Sequence, residues 1–377
     1  MKQKWEYKKL GDVCDVVMGQ SPASDTYNDS NGLPFFQGNA DFGKEHPNVR
    51  VYCNAPIKIA YPNDILISVR APIGAINIAD CECCIGRGLA AIRVSSNISY
   101  RYIYRFLFAS RDKLISQGTG STFKSIGRSI LSSLPIPIPP LSEQQRIVAE
   151  LDLLTGIIDK QNAQLKELDT LAQSIFYDMF GDPIENPKGW EVKKFEELCV
   201  LITDGEHATP RRTSSGIYLL SARNVHNHHL VLDDVDYIDE DEYLRISKRI
   251  IPEEGDILIS CSGSVGRVCI APNIKFQMVR SVALLRMDRD FLNPVFFEYL
   301  VCSDYVQQQI NDSKVQVAQA NLFQGKIKAL KGILPPLALQ QSFADQIQSI
   351  ENQKAKIKAS IADTQKLLDY TMDKYFG

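Results

Sequence analysis

Apolar positions step by four and three residues without a break through Ile147, Leu151, Leu154, Ile158, Gln161, Leu165, Leu168, Ala172, Ile175 and Met179. The same rule runs through Phe343, Ile347, Ile350, Lys354, Ile357, Ile361, Thr364, Leu368, Thr371 and Tyr375, each 196 residues after its counterpart. A sustained 3.5-residue repeat keeps one seam of a helix facing a partner, so two long helices and a coiled coil are predicted. Pro139-Pro140 bars the first helix from extending backward, Ser142 with Gln145 makes a capping-box pattern, and Gly181 followed by Pro183 provides the stop. From Ile147 to Met179 such a helix rises about 50 Å. Neither helix has a helical neighbour in sequence, so each is expected to take the other as an antiparallel partner. Gln161, Lys354 and Thr364, the polar places in the seam, are expected to fix register.

Ahead of each long helix lies a mixed segment, and the two segments repeat one another. Trp5-Glu-Tyr-Lys-Lys-Leu-Gly-Asp-Val-Cys14 returns as Trp190-Glu-Val-Lys-Lys-Phe-Glu-Glu-Leu-Cys199. Asp64-Ile-Leu-Ile-Ser68 returns as Asp256-Ile-Leu-Ile-Ser260, and Arg87, Ala90 and Arg93 return as Arg280, Ala283 and Arg286. Pro139-Pro-Leu141 matches Pro335-Pro-Leu337. The short apolar runs closed by Gly or Pro turns read as buried strands. Tyr100 to Ser116 and Asn293 to Asn311 carry aromatics and aliphatics at helical spacing and read as amphipathic helices on a core. The expected organisation is α+β: two repeated globular α/β domains, 1–140 and 182–336, with long helices at 141–181 and 337–377 that form an antiparallel coiled coil.

With 377 residues, 44% apolar and 23% charged, the chain is large enough for two cores and too rich in apolar residues to be disordered. No apolar stretch reaches the length of a membrane span, and the start lacks the apolar core of a signal peptide, so a cytoplasmic protein without membrane contact is expected. Nine cysteines without regular spacing fit a reducing compartment. Cys53, Cys81, Cys83 and Cys84 lack the paired spacing of a zinc knuckle and read as buried thiols. The net charge of −3 is uneven. Residues 1–140 hold 16 Lys and Arg against 11 Asp and Glu, whereas Asp233 to Glu242 alone holds seven acids, read as a solvated loop. Among His226, His228 and His229 a polar loop is the expected reading over a metal site. Phosphate-binding loop, dinucleotide fingerprint, zinc-protease and nucleophile-elbow motifs are missing, so catalysis by this chain is not expected.

These motifs together, duplicated and in order, resemble the specificity subunits of type I restriction-modification systems. The resemblance spans essentially the whole chain. It is carried by the Trp-containing starts, the two Asp-Ile-Leu-Ile-Ser strands, Ile85-Gly-Arg-Gly-Leu-Ala-Ala-Ile-Arg93, Gly118-Thr-Gly-Ser-Thr-Phe-Lys-Ser-Ile126, and Pro-Pro-Leu followed by Gln-Gln at each long helix. It implies that each globular half is a target recognition domain for one half of a bipartite, asymmetric site on double-stranded DNA. The paired helices would set the spacing and dock two modification (methyltransferase) subunits, with restriction (translocase and nuclease) subunits in the full complex. S-adenosylmethionine, ATP and magnesium would belong to those partners, so no cofactor or metal is expected on this chain.

Phosphate contacts call for Lys, Arg, Ser, Thr or backbone N–H groups, and base reading for Arg, Lys, Asn, Gln or acids. In the first half this singles out Gly120, Ser121, Thr122 and Lys124 of the glycine-rich loop, with Arg70 and Arg128. In the second, Gln316-Val-Ala-Gln-Ala-Asn-Leu322 replaces that loop, so Gln319, Asn321 and Lys326 become candidates. A turn-rich stretch ending in Arg211 and Arg212 adds those two, His207 and Arg223. For Arg87 and Arg280, bracing of the fold competes with contact. Two other classes stay open: a scaffold joining two protein-binding domains, and an enzyme that itself modifies DNA.

Overall fold

The computed structural model describes residues 5–119, 124–313 and 321–377. The chain forms two compact units, one from residues 1–163 with 358–377 and the other from residues 164–357.

In the first unit, Cys14–Met18, Leu89–Val94, Ile65–Ser68 and Ile76–Ile78 lie side by side, in that order, as an antiparallel sheet. Ile65–Ser68 is buried throughout, and its alternating side chains serve two cores. Ile65 and Ile67 join Ala90, Ile92, Tyr102, Ile103 and Phe106 on the helical side. Leu66 faces the other way, with Leu89, Ala91, Phe36, Cys83 and Ile85. Burial on both faces is why the run shows no polar alternation. Cys83 and Cys84 pack in these apolar surroundings, where burial pushes their thiols up. A second sheet, of five short strands, holds Leu33–Phe36 parallel to Cys83–Ile85.

The second unit repeats the plan. Cys199–Asp204, Val282–Met287, Ile257–Ser260 and Val268–Ile270 stand in the same order, and Ile217–Leu220 runs parallel to Phe276–Met278. Ile257 and Ile259 face the helical core, while Leu258 joins Leu284, Phe276 and Met278 on the far side. Both units place an Asp–Arg pair directly across the central strands, Asp64 with Arg93 at 2.8 Å and Asp256 with Arg286 at 2.7 Å. Each predicted domain helix is two helices, Tyr100–Ala109 and Arg111–Ser116, or Pro294–Cys302 and Asp304–Ser313. The breaks fall at the buried, equivalent Ser110 and Ser303, the latter donating its hydroxyl to the Leu300 carbonyl at 2.6 Å. Serine hydroxyls that bond nearby backbone compete with helix continuation.

The long helices are Leu141–Phe180 and Leu337–Phe376. In the first unit Arg146 donates to the Tyr375 hydroxyl at 3.0 Å and Gln161 to the Ser360 hydroxyl at 2.7 Å, so the segments run antiparallel. In the second, Asp169 meets Lys354 at 2.7 Å and Gln346 meets Met179 at 3.4 Å, again antiparallel. Gln161 and Lys354, two of the polar seam residues, thus make cross-helix bonds, whereas Thr364 bonds its own helix at the Ser360 carbonyl.

Ile147, Leu151, Leu154, Leu168, Phe343, Ile347, Ile350 and Leu368 of the seam are buried, and Ile158, Leu165, Ile175, Ile357 and Ile361 half-buried. At the helix ends the seam widens. Phe176 and Phe180, one place beyond the predicted Ile175 and Met179, are fully buried against Phe296 and Phe343. Met372 and Phe376 do the same in the first unit, where Phe376 packs on Tyr102 and Phe106. There the helix faces its domain as well as its partner, which demands a broader apolar face.

The predicted Ser142–Gln145 capping box is replaced by another device. The helix already runs at Leu141, and the neighbouring Gln144 turns inward, donating to the Pro139 carbonyl and accepting from Ser99 N–H, both at 2.9 Å. Gln340 repeats this, donating to the Pro335 and Phe291 carbonyls and accepting from Asn293 N–H. Each glutamine ties a proline-led helix start to the start of a domain helix. Because Gln340 is fully buried, Gln340→Ala is expected to lower stability by about 2 kcal/mol, seen as an earlier thermal transition. Gly181 does adopt the left-handed conformation expected of a stop, with φ 78°, and the Trp190 indole caps the Phe180 carbonyl at 2.8 Å. Among the described residues no helix is long and apolar enough to cross a membrane.

Candidate nucleic-acid interface

A cleft of about 220 Å³ opens in the first unit where four separate segments meet. Ser68, Arg70 and Ala71 come from the end of a central strand, Arg87 and Gly88 from the turn before its neighbour, and Ser21, Gln37, Gly38 and Asn39 from facing loops. In the second unit a cleft of about 330 Å³ is lined by Cys261 and Ser262, Arg280 and Ser281, Asp204 and His207, and Asn321 to Gln324. These are corresponding places in the repeat, held by corresponding backbone bonds. Gly19 N–H reaches the Leu89 carbonyl and Gly205 N–H the Val282 carbonyl, both at 2.9 Å. Val69 N–H reaches Gly88, and Cys261 N–H reaches Ser281. The approach is close enough to require glycine: a Cβ on Gly19 would stand 2.1 Å from the Gly86 oxygen, and one on Gly205 2.4 Å from that of Met278.

The sequence candidates gather unevenly around these clefts. Arg70 lines the first, and a backbone bridge joins it to Ser125, directly after Lys124. His207 and Asn321 line the second, and Asn321 bridges to Ser262 in the equivalent way. Lys124 and Lys326 are exposed beside these bridges. Gly120, Ser121, Thr122 and Gln319 lie outside the described residues. Arg128 sits apart from the cleft lining, paired with Asp15 at 3.1 Å.

The acidic run is no solvated loop. Asp236–Ile238 is a strand, Asp239 caps the helix Glu240–Ser247 by accepting from Glu242 N–H at 2.8 Å, and Glu242 is buried. Its carboxylates hold the nearby arginines: Arg211 on Asp239 at 2.8 Å, Arg212 on Asp236 at 3.0 Å, and Arg223 on Asp236 at 3.1 Å. The guanidinium of Arg245 holds the Glu242 carboxyl below its ordinary range. His207 shares Asp204 with Arg249. Arg70, Arg87 and Arg280, by contrast, are exposed and have no acidic partner among the described residues. Sequence reasoning left Arg87 and Arg280 open between bracing and contact, although their duplication was visible.

The histidines at 226–229 form a tight hairpin, with His226 stacked on His229 and His228 bound to Glu298 at 3.1 Å. Among the described residues no group of three or more His, Cys, Asp or Glu side chains could hold a metal ion.

The model of the type I restriction modification DNA specificity domain matches residues 2–169 and again 187–363. The chain belongs to this family. The type I restriction enzyme MjaIX specificity subunit of Methanocaldococcus jannaschii is 25% identical over 98% of this chain and 92% of its own length. Another specificity-subunit relative from that organism is 38% identical over 46% of this chain, so the match spans under half, 42%, of that relative. The crystal structure of a type I restriction-modification system S subunit from M. genitalium has 13% identity and a TM-score of 0.56 over 99% of this chain and 96% of that one, a likeness of fold. The two-domain α+β architecture with long helices is therefore that of the specificity family.

Proposed function

We propose that this chain is the non-catalytic DNA-recognition subunit of a type I restriction-modification complex, working in the cytoplasm. On this reading residues 1–140 and 182–336 are target recognition domains, each reading one half of a bipartite, asymmetric site on double-stranded DNA. The observation that carries it is the pair of equivalent clefts with one frame and different linings: Arg70 and Ser21 in one, Ser262 and His207 in the other. A shared frame suits the common backbone of DNA, and different side chains suit two different base sequences. Lys124, Lys326, Asn321 and the loop residues Gly120, Ser121, Thr122 and Gln319 would flank the bound strand.

The helices at 141–181 and 337–377 would set the gap between half-sites. A 40-residue helix rises about 60 Å, the length of about 18 base pairs. They would also dock two modification subunits. Leu141 and Leu367 are exposed in the first unit, and their equivalents Leu337 and Leu171 in the second, so the same two apolar positions are left open in each. Restriction subunits would join the full complex, and S-adenosylmethionine, ATP and magnesium would be theirs and the modification subunits'.

Mapping methylated bases in cells that carry this chain with its modification subunits tests the reading. A single two-part sequence with a fixed gap is expected; methylation at no defined site would overturn it. Within this reading Asp236 restrains Arg212 and Arg223, so Asp236→Asn is expected to tighten DNA binding severalfold at low salt and to steepen its salt dependence, measured by titration of the complex onto labelled DNA.

A further inference from the structure

We infer that Arg87 and Arg280 are a matched pair of phosphate anchors, one for each half-site, and that the bases are read by the cleft residues that differ between the repeats. The inference rests on the recognition reading above and assigns labour within it. Four arginines are duplicated as two pairs, and their surroundings separate them. Arg93 and Arg286 each face a duplicated, buried aspartate across the central strands, which makes them braces. Arg87 and Arg280 face no such acid among the described residues, and both are exposed at the mouth of a cleft.

Their turns are closed by corresponding bonds, although Arg87 N–H donates to the Ser21 hydroxyl at 3.2 Å and Arg280 N–H to the Glu206 carbonyl at 2.9 Å. Each lies in the turn before a central strand, closed by Leu89 N–H on the Gly86 carbonyl at 3.0 Å or by Val282 N–H on the Val279 carbonyl at 2.9 Å. On the strand side of each turn, Gly88 and Ser281 accept the equivalent bonds from Val69 and Cys261. A side chain kept the same in two readers of different sequences can contribute only to what the two half-sites share. In DNA that is the phosphate backbone.

The positions that vary are opposite in character. Arg70 and its bridge partner Ser125 occupy the places of Ser262 and Asn321, and Ser21 that of His207. Arg70 and Ser21 line one opening, and Ser262, Asn321 and His207 the other, with different donor patterns, which is what discrimination between base edges needs.

The test uses the complex with modification subunits and two readouts, the methylated sequence and the slope of log affinity against log salt. Arg87→Gln and Arg280→Gln are each expected to lower the slope by about 0.9 while leaving the methylated sequence unchanged. Arg87→Lys, which keeps the charge, is expected to keep the slope. Arg70→Ala and His207→Ala are each expected to relax one half of the target and leave the other intact. A changed base in either half-site on Arg87→Gln or Arg280→Gln, or an unchanged salt slope, would overturn the assignment. A wild-type complex that methylates no two-part sequence would instead overturn the recognition reading beneath it.

Discussion

Replacing Arg286 with methionine is expected to cost about 4 kcal/mol of stability, the range found when one member of a buried ion pair is removed. Arg286 grips both oxygens of Asp256, at 2.9 and 2.7 Å, and donates to the Ile251 carbonyl at 2.9 Å. The Asp256 side chain is 1% exposed, so its charge has almost no water to fall back on. Methionine fills the space of the stem but leaves that buried carboxylate with the Glu253 N–H, at 2.8 Å, and no cation. Asp256→Asn in the same chain should recover more than half of the loss, because the unpaired charge is then gone. Arg93→Met is expected to cost less, since Arg93 is 38% exposed against 23% for Arg286 and solvent reaches the site more readily. Urea unfolding of the three variants beside the parent decides the matter. An Arg286→Met chain within 1 kcal/mol of the parent would mean that Asp256 rehydrates without rearrangement.

The pair also shows why this fold was largely legible and where it was not. Periodicity is a property of neighbours in sequence, so the seam from Ile147 to Met179 and the twin strands Ile65–Ser68 and Ile257–Ser260 could be read directly. The widening at Phe176, Phe180, Met372 and Phe376 could not, because it reflects packing on domain residues more than 70 positions away, such as Phe296 and Phe106. Gln144 was overlooked for its neighbour Gln145 because a capping box is defined by spacing alone. What decides is which side chain turns toward the buried Pro139 carbonyl.

Charge was the least legible feature. Arg211, Arg212 and Arg223 looked free because their acidic partners stand 28, 24 and 13 residues away, brought close by the pairing of Arg212–Thr213 with Asp236–Ile238. A signal was available for Arg87 and Arg280. The aligned repeats duplicate an aspartate alongside Arg93 and Arg286 and none that faces the other two, and that asymmetry separates braces from free cations.

Lengthening each long helix by one heptad at its middle is expected to move the methylated target to a new gap and abolish methylation at the old one. Seven residues preserve the seam, since the apolar positions return to the same face, and add about 10 Å of rise. At 3.4 Å per base pair that is about three more base pairs between the half-sites. Both half-sequences should stay as they are, because no cleft residue is touched. Three base pairs also turn the second half-site by about 100° around the duplex, given 10 to 10.5 base pairs per turn. The DNA must untwist or bend to meet both clefts, so the new target should be methylated more slowly than the parent target. Sequencing of methylated bases in cells carrying the lengthened chain gives the gap directly. A complex that still methylated the original spacing at its original rate would separate helix length from target geometry and remove the spacer role from the long helices.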